Sequence, residues 1–578
     1  MDDVWDKEAW QSLRRAFPTD AKGSKIIITT RNKEIATRTA EGGCCHELRF
    51  LTQGESWDLF CQKAFPGDGE ISCCPPAMTR LAEKMVEKCG GLPLAIVVLG
   101  GLLSHKTGPE EWVKVRDHIW QHLENDSVEI RQLLTLSYND LSPKSKLCFL
   151  YLGMFPEDSE IDAGRLTRLW MAEEFTIPSE QRMEDVAEDY INELMNRSLI
   201  QVAGRCWEKV VTCRVHDLAV KKAAAEVNFF GVLDKRNISA SLVHSRRHAI
   251  QDKTDSYFLL GLSYSKVRSL LVLTYTPHFK ALHICFKMRS LRVLDLRNVA
   301  VWRLPDSMGE LIHLEFLGLV LCTAELPTSI CNLKSLQTLD LRSPTPIRKL
   351  PPEICKLEQL RHLQDGVIDE LPASGSFPES LASLILRDSE FTEDPMPTLE
   401  SLPNLRSLEL IRVYHGNKIV CSASGFRQLE VIRISDLGEL EEWQVEEGAM
   451  PVIKGLHIHG CNKLKIIPER LKSVPMVLVA KLDFSMKHQN RHNYGQSNTW
   501  SYANTSSALI KLNGILKEPG VASGRFNFWL PRPRQEARYR TGASPWGVAV
   551  LVVVLLVLVS YQSSVHSKWF APLRRSKW

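Results

Sequence analysis

The residues best placed for chemistry sit in the first half of the chain. From Gly23 the sequence reads GSKIIITTR, a turn followed by an apolar, β-branched run, Ile26 to Thr30. Such a run predicts a buried parallel strand. Arg31 then stands at its carboxyl end, where open α/β sheets place their ligands, and a guanidinium there reaches a phosphate. Farther along, Gly90 and Gly91 close an amphipathic helix that runs from Ala77 to Lys88, and Pro93 suits the first turn of the next helix. Gly and Pro at these places also make a plain helix–helix corner. His216 and Asp217 fall where a strand gives way to a helix; Asp217 suits the start of that helix and His216 the packing beside it.

Other constellations carry less. His457 and His459 form an HxH pair, and His488 and His492 lie in a polar stretch; without a further ligand nearby both pairs read as surface residues. The 15 cysteines are scattered with no CxxC, which argues against a disulfide framework and against zinc. No nucleophile–base–acid set stands out, so an enzyme is not expected. The start, MDDVWDKEAW, lacks the basic and apolar regions of a secretory signal, and a reducing, cytoplasmic compartment is expected. A net charge of +4 on 578 residues gives no nucleic-acid footprint.

These residues need elements to hold them. The segments from Ser145, LTRLWMAEEF, VAEDYINELMNRSLIQ and a β element around Val210 to Val215 predict three helices and a strand pair, a winged helix. No Lys/Arg run marks a recognition helix in it, so DNA binding is not expected. The second half has an internal period. LxxLxL frames start at Val267, Leu291, Leu314, Leu336, Leu360, Leu381, Leu405, Leu429 and Ile453, and Leu-Pro steps recur in phase at Leu304, Leu326, Leu350 and Leu371. Their spacing is that of a leucine-rich-repeat solenoid, in which each repeat adds one strand and a return segment. Strand alternation points the leucines into the stack and the intervening residues outward. The outward set includes Arg292, Asp295, Glu315, Phe316, Arg361, Arg406, Glu409 and Arg433, a mixed face suited to binding protein partners.

The order DDVWD at Asp2, GSKIIITTR at Gly23, CQKAF at Cys61, GGLPLA at Gly90, CFLYLGMFPED at Cys148 and VHDL at Val215, followed by the repeats, resembles the plant NB-ARC disease-resistance proteins. Trp5 resembles the coiled-coil subclass. The resemblance implies a multidomain α/β plus α architecture: a nucleotide-binding remnant over residues 1–42, a helical subdomain over 43–126, the winged helix over 127–235 and the repeats over 236–485. It implies an ADP/ATP switch with magnesium. Arg31 resembles the phosphate-sensing arginine, Pro93 the residue against adenine and His216 the histidine that reads the ADP phosphate. Asp2 and Asp3 resemble the Walker B acids, the first supporting magnesium and the second positioning water.

The sequence departs from that pattern at both ends. It contains no GxxxxGK[ST] loop, whose backbone N–H groups and lysine cradle phosphates, so tight nucleotide binding by these residues alone is not expected. Residues 486–545 have a linker's composition. Residues 546–561 are uncharged, a candidate transmembrane helix of about 24 Å that is short for a bilayer core of about 30 Å. The function expected is that of a defence receptor whose repeats meet a pathogen effector, a guarded host protein or a related receptor. The alternative is a nucleotide-independent repeat scaffold, or decoy, that regulates full-length receptors.

Overall fold

A computed structural model describes residues 4, 26–30, 32–39, 45–65, 74–121, 130–156, 159–176, 180–206, 209–215, 229–233, 245–251, 264–275, 282–301, 304–321, 326–341, 350–365, 368, 371–373, 375–474 and 476–479. All of them fall in one compact unit, Met1–Ser485. The apolar run 546–561 lies outside the described residues; among those described, no helix is long and apolar enough to cross a membrane.

The first helices are α1 (Lys33–Thr39), α2 (Gln53–Ala64), α3 (Pro76–Lys88), α4 (Pro93–Leu103) and α5 (Pro109–Gln121). A capping box starts α2: the Thr52 hydroxyl accepts from Glu55 N–H, and the Glu55 carboxylate accepts from Thr52 N–H. Arg49 fixes that carboxylate with two bonds of 2.7 and 2.8 Å. Helix α4, PLAIVVLGGLL, is apolar on all sides and is correspondingly the buried centre of this bundle. Its neighbours come close enough that a Cβ on Gly101 would lie 2.5 Å from the Asn196 carbonyl oxygen.

Next come α6 (Ile130–Asn139), α7 (Pro143–Tyr151), β1 (Ile161–Asp162), α8 (Ala163–Ala172), α9 (Met183–Asn196), β2 (Ile200–Cys206) and β3 (Lys209–Val215). Strands β2 and β3 form an antiparallel hairpin, and β1 adds to it on the β3 side. The β element anticipated around Val210 is therefore the second arm of a wing whose first arm, β2, follows directly on α9. Asp162 caps α8, its carboxylate accepting from Arg165 N–H.

The repeats build one parallel sheet of twelve strands: β4 (Gly231–Leu233), β5 (Arg247–Ile250), β6 (Ser269–Val272), β7 (Val293–Val301), β8 (Phe316–Leu321), β9 (Thr338–Leu341), β10 (His362–Asp365), β11 (Ser383–Arg387), β12 (Ser407–Ile411), β14 (Val431–Ser435), β16 (Gly455–His459) and β17 (Met476–Val479). The frames starting at Val267 through Ile453 all deliver strands, because leucines at that period stack into a single core, with Leu294, Leu317, Leu339, Leu363, Leu384, Leu408 and Ile432 each fully buried. The Pro of the Leu-Pro steps at 305, 327 and 351 opens a 3-10 turn in each repeat. The short strands β13 (Lys418–Cys421) and β15 (Glu442–Val445) pair separately.

Two expectations are corrected. The sheet starts at β4, before the anticipated repeat boundary at residue 236; GVL is too short to show a frame, and β4 pairs with β5 only in the folded chain. The run Ile26 to Thr30 is not a ladder strand. Ile26 is 48% and Ile27 71% exposed, and the run meets the Val4 segment through a bond of 2.9 Å from Val4 N–H to Thr29 O. A buried parallel strand needs strands on either side, and among the described residues no ladder flanks this one.

Candidate functional site

The positions anticipated around nucleotide fall mostly outside the described residues: Asp2, Asp3, Arg31 and His216 all do. Pro93 is described. It is the first residue of α4 and is exposed, at a corner built by Gly90 and Gly91 with φ of +59° and +72°. The Gly91 carbonyl accepts from Leu51 N–H at 2.9 Å, and a Cβ on Gly91 would lie 2.3 Å from the Leu51 oxygen. Glycine is therefore required there by both backbone conformation and space. The corner anchors the segment before α2 and presents Pro93; the described residues contain no phosphate cradle around it.

The larger site is where the winged helix meets the outer face of the sheet. The first repeats carry apolar residues at outward positions. Ala249 of β5, Leu271 of β6, Val293 of β7 and Phe316 of β8 join the core of the helical domains instead of the repeat core. Around them runs a set of ion pairs. Arg165 of α8 donates to Asp295 of β7 at 2.6 and 3.0 Å, and Arg297 spans Asp295 and Asp340 at 3.1 and 2.8 Å. Both aspartates are 0% exposed. Just past α8, Glu173 accepts from Arg247 at 2.7 Å and from the Ser269 hydroxyl, while Glu174 meets Arg292 at 2.5 Å. The Arg247 guanidinium lies 4.4 Å from the Phe229 ring centroid and 5.3 Å from that of Phe175, packing against both rings of a tilted aromatic pair.

The first turn of α9 extends the contact. Arg361 binds Glu184 through two bonds of 2.8 Å, and His362 Nε2 lies 3.3 Å from the same carboxylate. Beside α9, Arg182 reaches Glu430 at 2.8 Å, where Arg406 and Lys454 also donate. Burial alone would push the Glu184 carboxyl up, but the bonds from His362 and Arg361 prevail and hold it well below the usual carboxylate range. Glu315 goes the other way: burial, with Glu173 and Glu174 nearby, pushes it up to about 7 despite its bond to Arg292.

The anticipated partner-binding face is thus two surfaces. Asp295, Glu315 and Phe316 are buried under the winged helix, and Arg292 and Arg361 are engaged in its ion pairs, so these five are corrected from a free recognition face to an intramolecular contact. Alternation predicts which way a strand residue points, not what lies on top of it. Arg406, Glu409 and Arg433 lie on the later strands, paired along the solenoid through Arg406–Glu430 at 2.9 Å and Glu409–Arg433 at 3.5 Å. With them lie the partly exposed Ser383, Ser407 and His457. The apolar outward residues from Ala249 to Phe316 were the available sign of a covered face, because outward positions in β11 and β12 turn to serine. Among the described residues, no group of three or more His, Cys, Asp or Glu side chains could hold a metal.

Three family models match in this order: NB-ARC domain over residues 1–70, disease resistance protein winged helix domain over 154–221, and leucine-rich repeat region over 266–384. The putative disease resistance RPP13-like protein 3 of Arabidopsis thaliana is 35% identical, the match covering 82% of this chain and 67% of that protein. The chain belongs to the NB-ARC leucine-rich-repeat family of plant disease resistance proteins. Disease resistance protein RPP13 of the same plant is 34% identical over 82% of this chain and 66% of its own length. The chain therefore spans about two thirds of the curated relatives it matches. A solved leucine-rich-repeat protein of Leptospira interrogans is similar at a TM-score of 0.26 and 18% identity, covering 38% of this chain and 56% of that one.

Proposed function

We propose that this chain works as a defence receptor in which the winged helix, seated on the first repeats, holds the molecule closed, and the later repeats remain open to a protein partner. What supports this reading is the bidentate Glu184–Arg361 pair, within a contact that runs over β5 to β10 and touches the later repeats through Arg182 and Glu430, where Ser383, Ser407 and His457 stay partly exposed. A partner bound on the open strands competes with α9 for Glu430, which Arg182 and Arg406 share. Opening the contact exposes apolar residues such as Phe316 as well as charges, so it is costly without a compensating partner.

The nucleotide roles belong to the same proposal. By family likeness Arg31 and His216 face phosphate, Pro93 packs on adenine and Asp2 and Asp3 serve magnesium and water, which makes ADP or ATP the ligand that biases the closed form. Pro93 stands exposed at a rigid corner, as adenine packing needs. The domain boundaries at residues 42, 126, 235 and 485 follow the same likeness, with the one at 235 moved only as far as β4 requires.

The test is a charge-swap cycle in the full chain. Glu184→Arg and Arg361→Glu should each increase hydrogen exchange in β10 and cause cell death on expression in leaf tissue, and the double swap should reverse both. If the single swaps loosen β10 without any signalling, the contact is structural only and the nucleotide-independent scaffold becomes the better reading.

A further inference from the structure

On the open strands, cations outnumber the carboxylates they meet. Arg406, Glu430 and Lys454 each stand one residue before a strand, at the heads of β12, β14 and β16. Their backbones are bonded side by side, Glu430 N–H to Arg406 O at 2.8 Å and Lys454 N–H to Glu430 O at 2.7 Å. The Glu430 carboxylate takes Arg406, Lys454 and, from beside α9, Arg182. Farther along the strands, Glu409 takes Arg387 at 3.0 Å and Arg433 at 3.5 Å. Two carboxylates thus serve five cations, and of these Arg182 alone has a second carboxylate, Asp185, among the described residues.

The cations also form the outer layer. The Glu409 and Glu430 side chains are each 16% exposed, whereas Arg406 is 35%, Arg433 37%, Arg387 46% and Lys454 69% exposed. Burial alone would push the Glu430 carboxyl up, but bonds from Lys454 and Arg406 and the charge of Arg182 bring it down to about 2. The field reaches His457, which is in register with Arg433: burial, Arg433 and His459 lower its pKa. His457 Nδ1 is buried with no hydrogen-bond partner among the described residues. At the other end of the same strands the balance reverses. Arg412 sits between Asp388 and Asp436 at 2.6 and 3.2 Å, and those side chains are 42% and 38% exposed. This acidic border repels a continuous polyphosphate laid across the strands, and a short run of carboxylates avoids it.

We propose that this patch binds an acidic segment of a protein partner, its carboxylates set against Arg387, Arg406, Arg433 and Lys454; the proposal rests on the reading that the later repeats stay open. Charges recessed beneath the cations leave the outer groups short of counter-charge, and complementary charge supplies both steering and register. Carboxylates brought to Arg406 and Lys454 also lie beside Glu430 and compete with it for Arg182, so the tie to α9 is contested from the Arg182 side.

The test measures fluorescence anisotropy of labelled decaglutamate with the full chain at low and at physiological salt, beside decalysine and a decathymidine strand. Decaglutamate should bind, and less tightly as salt rises, because exposed charges are screened beyond about 8 Å at physiological ionic strength. Lys454→Gln and Arg433→Gln should each weaken binding about threefold, and together about tenfold, with little change in thermal midpoint. Lys472→Gln, in the 3-10 turn Glu469–Ser473, should leave binding unchanged. No binding of decaglutamate, equal losses from Lys472→Gln and Lys454→Gln, or decathymidine binding as tightly and as sensitively to Lys454→Gln overturns the proposal. Hydrogen exchange in β10 keeps it distinct from the closed-receptor reading. Decaglutamate binding that leaves β10 unchanged retains the acidic-segment site and tells against opening by a partner; signalling by Glu184→Arg without decaglutamate binding does the reverse.

Discussion

Arg165 and Asp295 are 130 positions apart in the chain, yet Arg165 Nη2 donates to Asp295 Oδ2 at 2.6 Å, joining the winged helix to the second repeat frame from one side while Arg297 holds the same carboxylate from the other. The carboxylate is fully buried and both guanidinium groups nearly so. Asp295→Ala would leave two buried cations short of their counter-charge, and removing one partner of such a network costs about 3–5 kcal/mol. Denaturant unfolding should show a lower midpoint with an unchanged slope. Arg165→Met, which takes away one charge and keeps the packing, should cost clearly less. Equal losses for the two variants would mean that packing, not charge, carries the contact.

The Gly90–Gly91 corner makes a sharper prediction because backbone alone decides it. Gly91→Ala forces a side chain onto φ of +72° and places its Cβ 2.3 Å from the Leu51 oxygen. Strain of this kind costs on the order of 1–3 kcal/mol, and the Leu51–Gly91 bond must stretch to relieve the clash. Gly90→Ala meets no atom within 4 Å and should cost less. Hydrogen exchange at Leu51 N–H in the two variants separates them: fast in Gly91→Ala, near wild type in Gly90→Ala.

The repeat core was readable from the sequence because each buried leucine recurs with the period and needs no distant partner to explain it. Leu339 and Leu363 are such residues, and each is fully buried in register with the other. Leu363→Ala should cost about 2–5 kcal/mol, as other large-to-small core changes do, seen as a lower thermal midpoint. Arg433→Ala on the open face should leave that midpoint nearly unchanged.

The covering of the outer face was not readable in the same way. Asp295 and Glu409 occupy the same outward position of similar frames, and nothing local distinguishes one as buried. The difference comes from α8 and α9, whose Arg165 and Glu184 reach the sheet over 130 and 177 positions. Only the apolar ladder Ala249, Leu271, Val293, Phe316 hinted at it. The motifs around Arg31 and His216 were legible as a family likeness, and both residues lie outside the described residues, so their expected nucleotide roles rest on that likeness.

The contact should also respond to pH through Glu315. Its carboxyl, raised to about 7 by burial next to Glu173 and Glu174, keeps its proton in the closed form at pH values where an open form, near 4.5, has lost it. The closed form therefore binds more protons, and its stability falls as pH rises from about 4.5 to about 7, levelling off above. The shift corresponds to roughly 3 kcal/mol at most. Two neighbours act oppositely and at lower pH. His362, lowered by burial, and Glu184, held low by His362 and Arg361, both weaken the closed form as pH falls below their ordinary values of 6.5 and 4.5. The informative measurement is the difference between wild type and Glu315→Gln in thermal midpoint from pH 5 to 8. The variant should gain on wild type steadily up to about pH 7 and hold a constant margin above it. A difference that does not vary with pH would mean that Glu315 stays ionised in the closed form, held by Arg292 across their 2.9 Å pair.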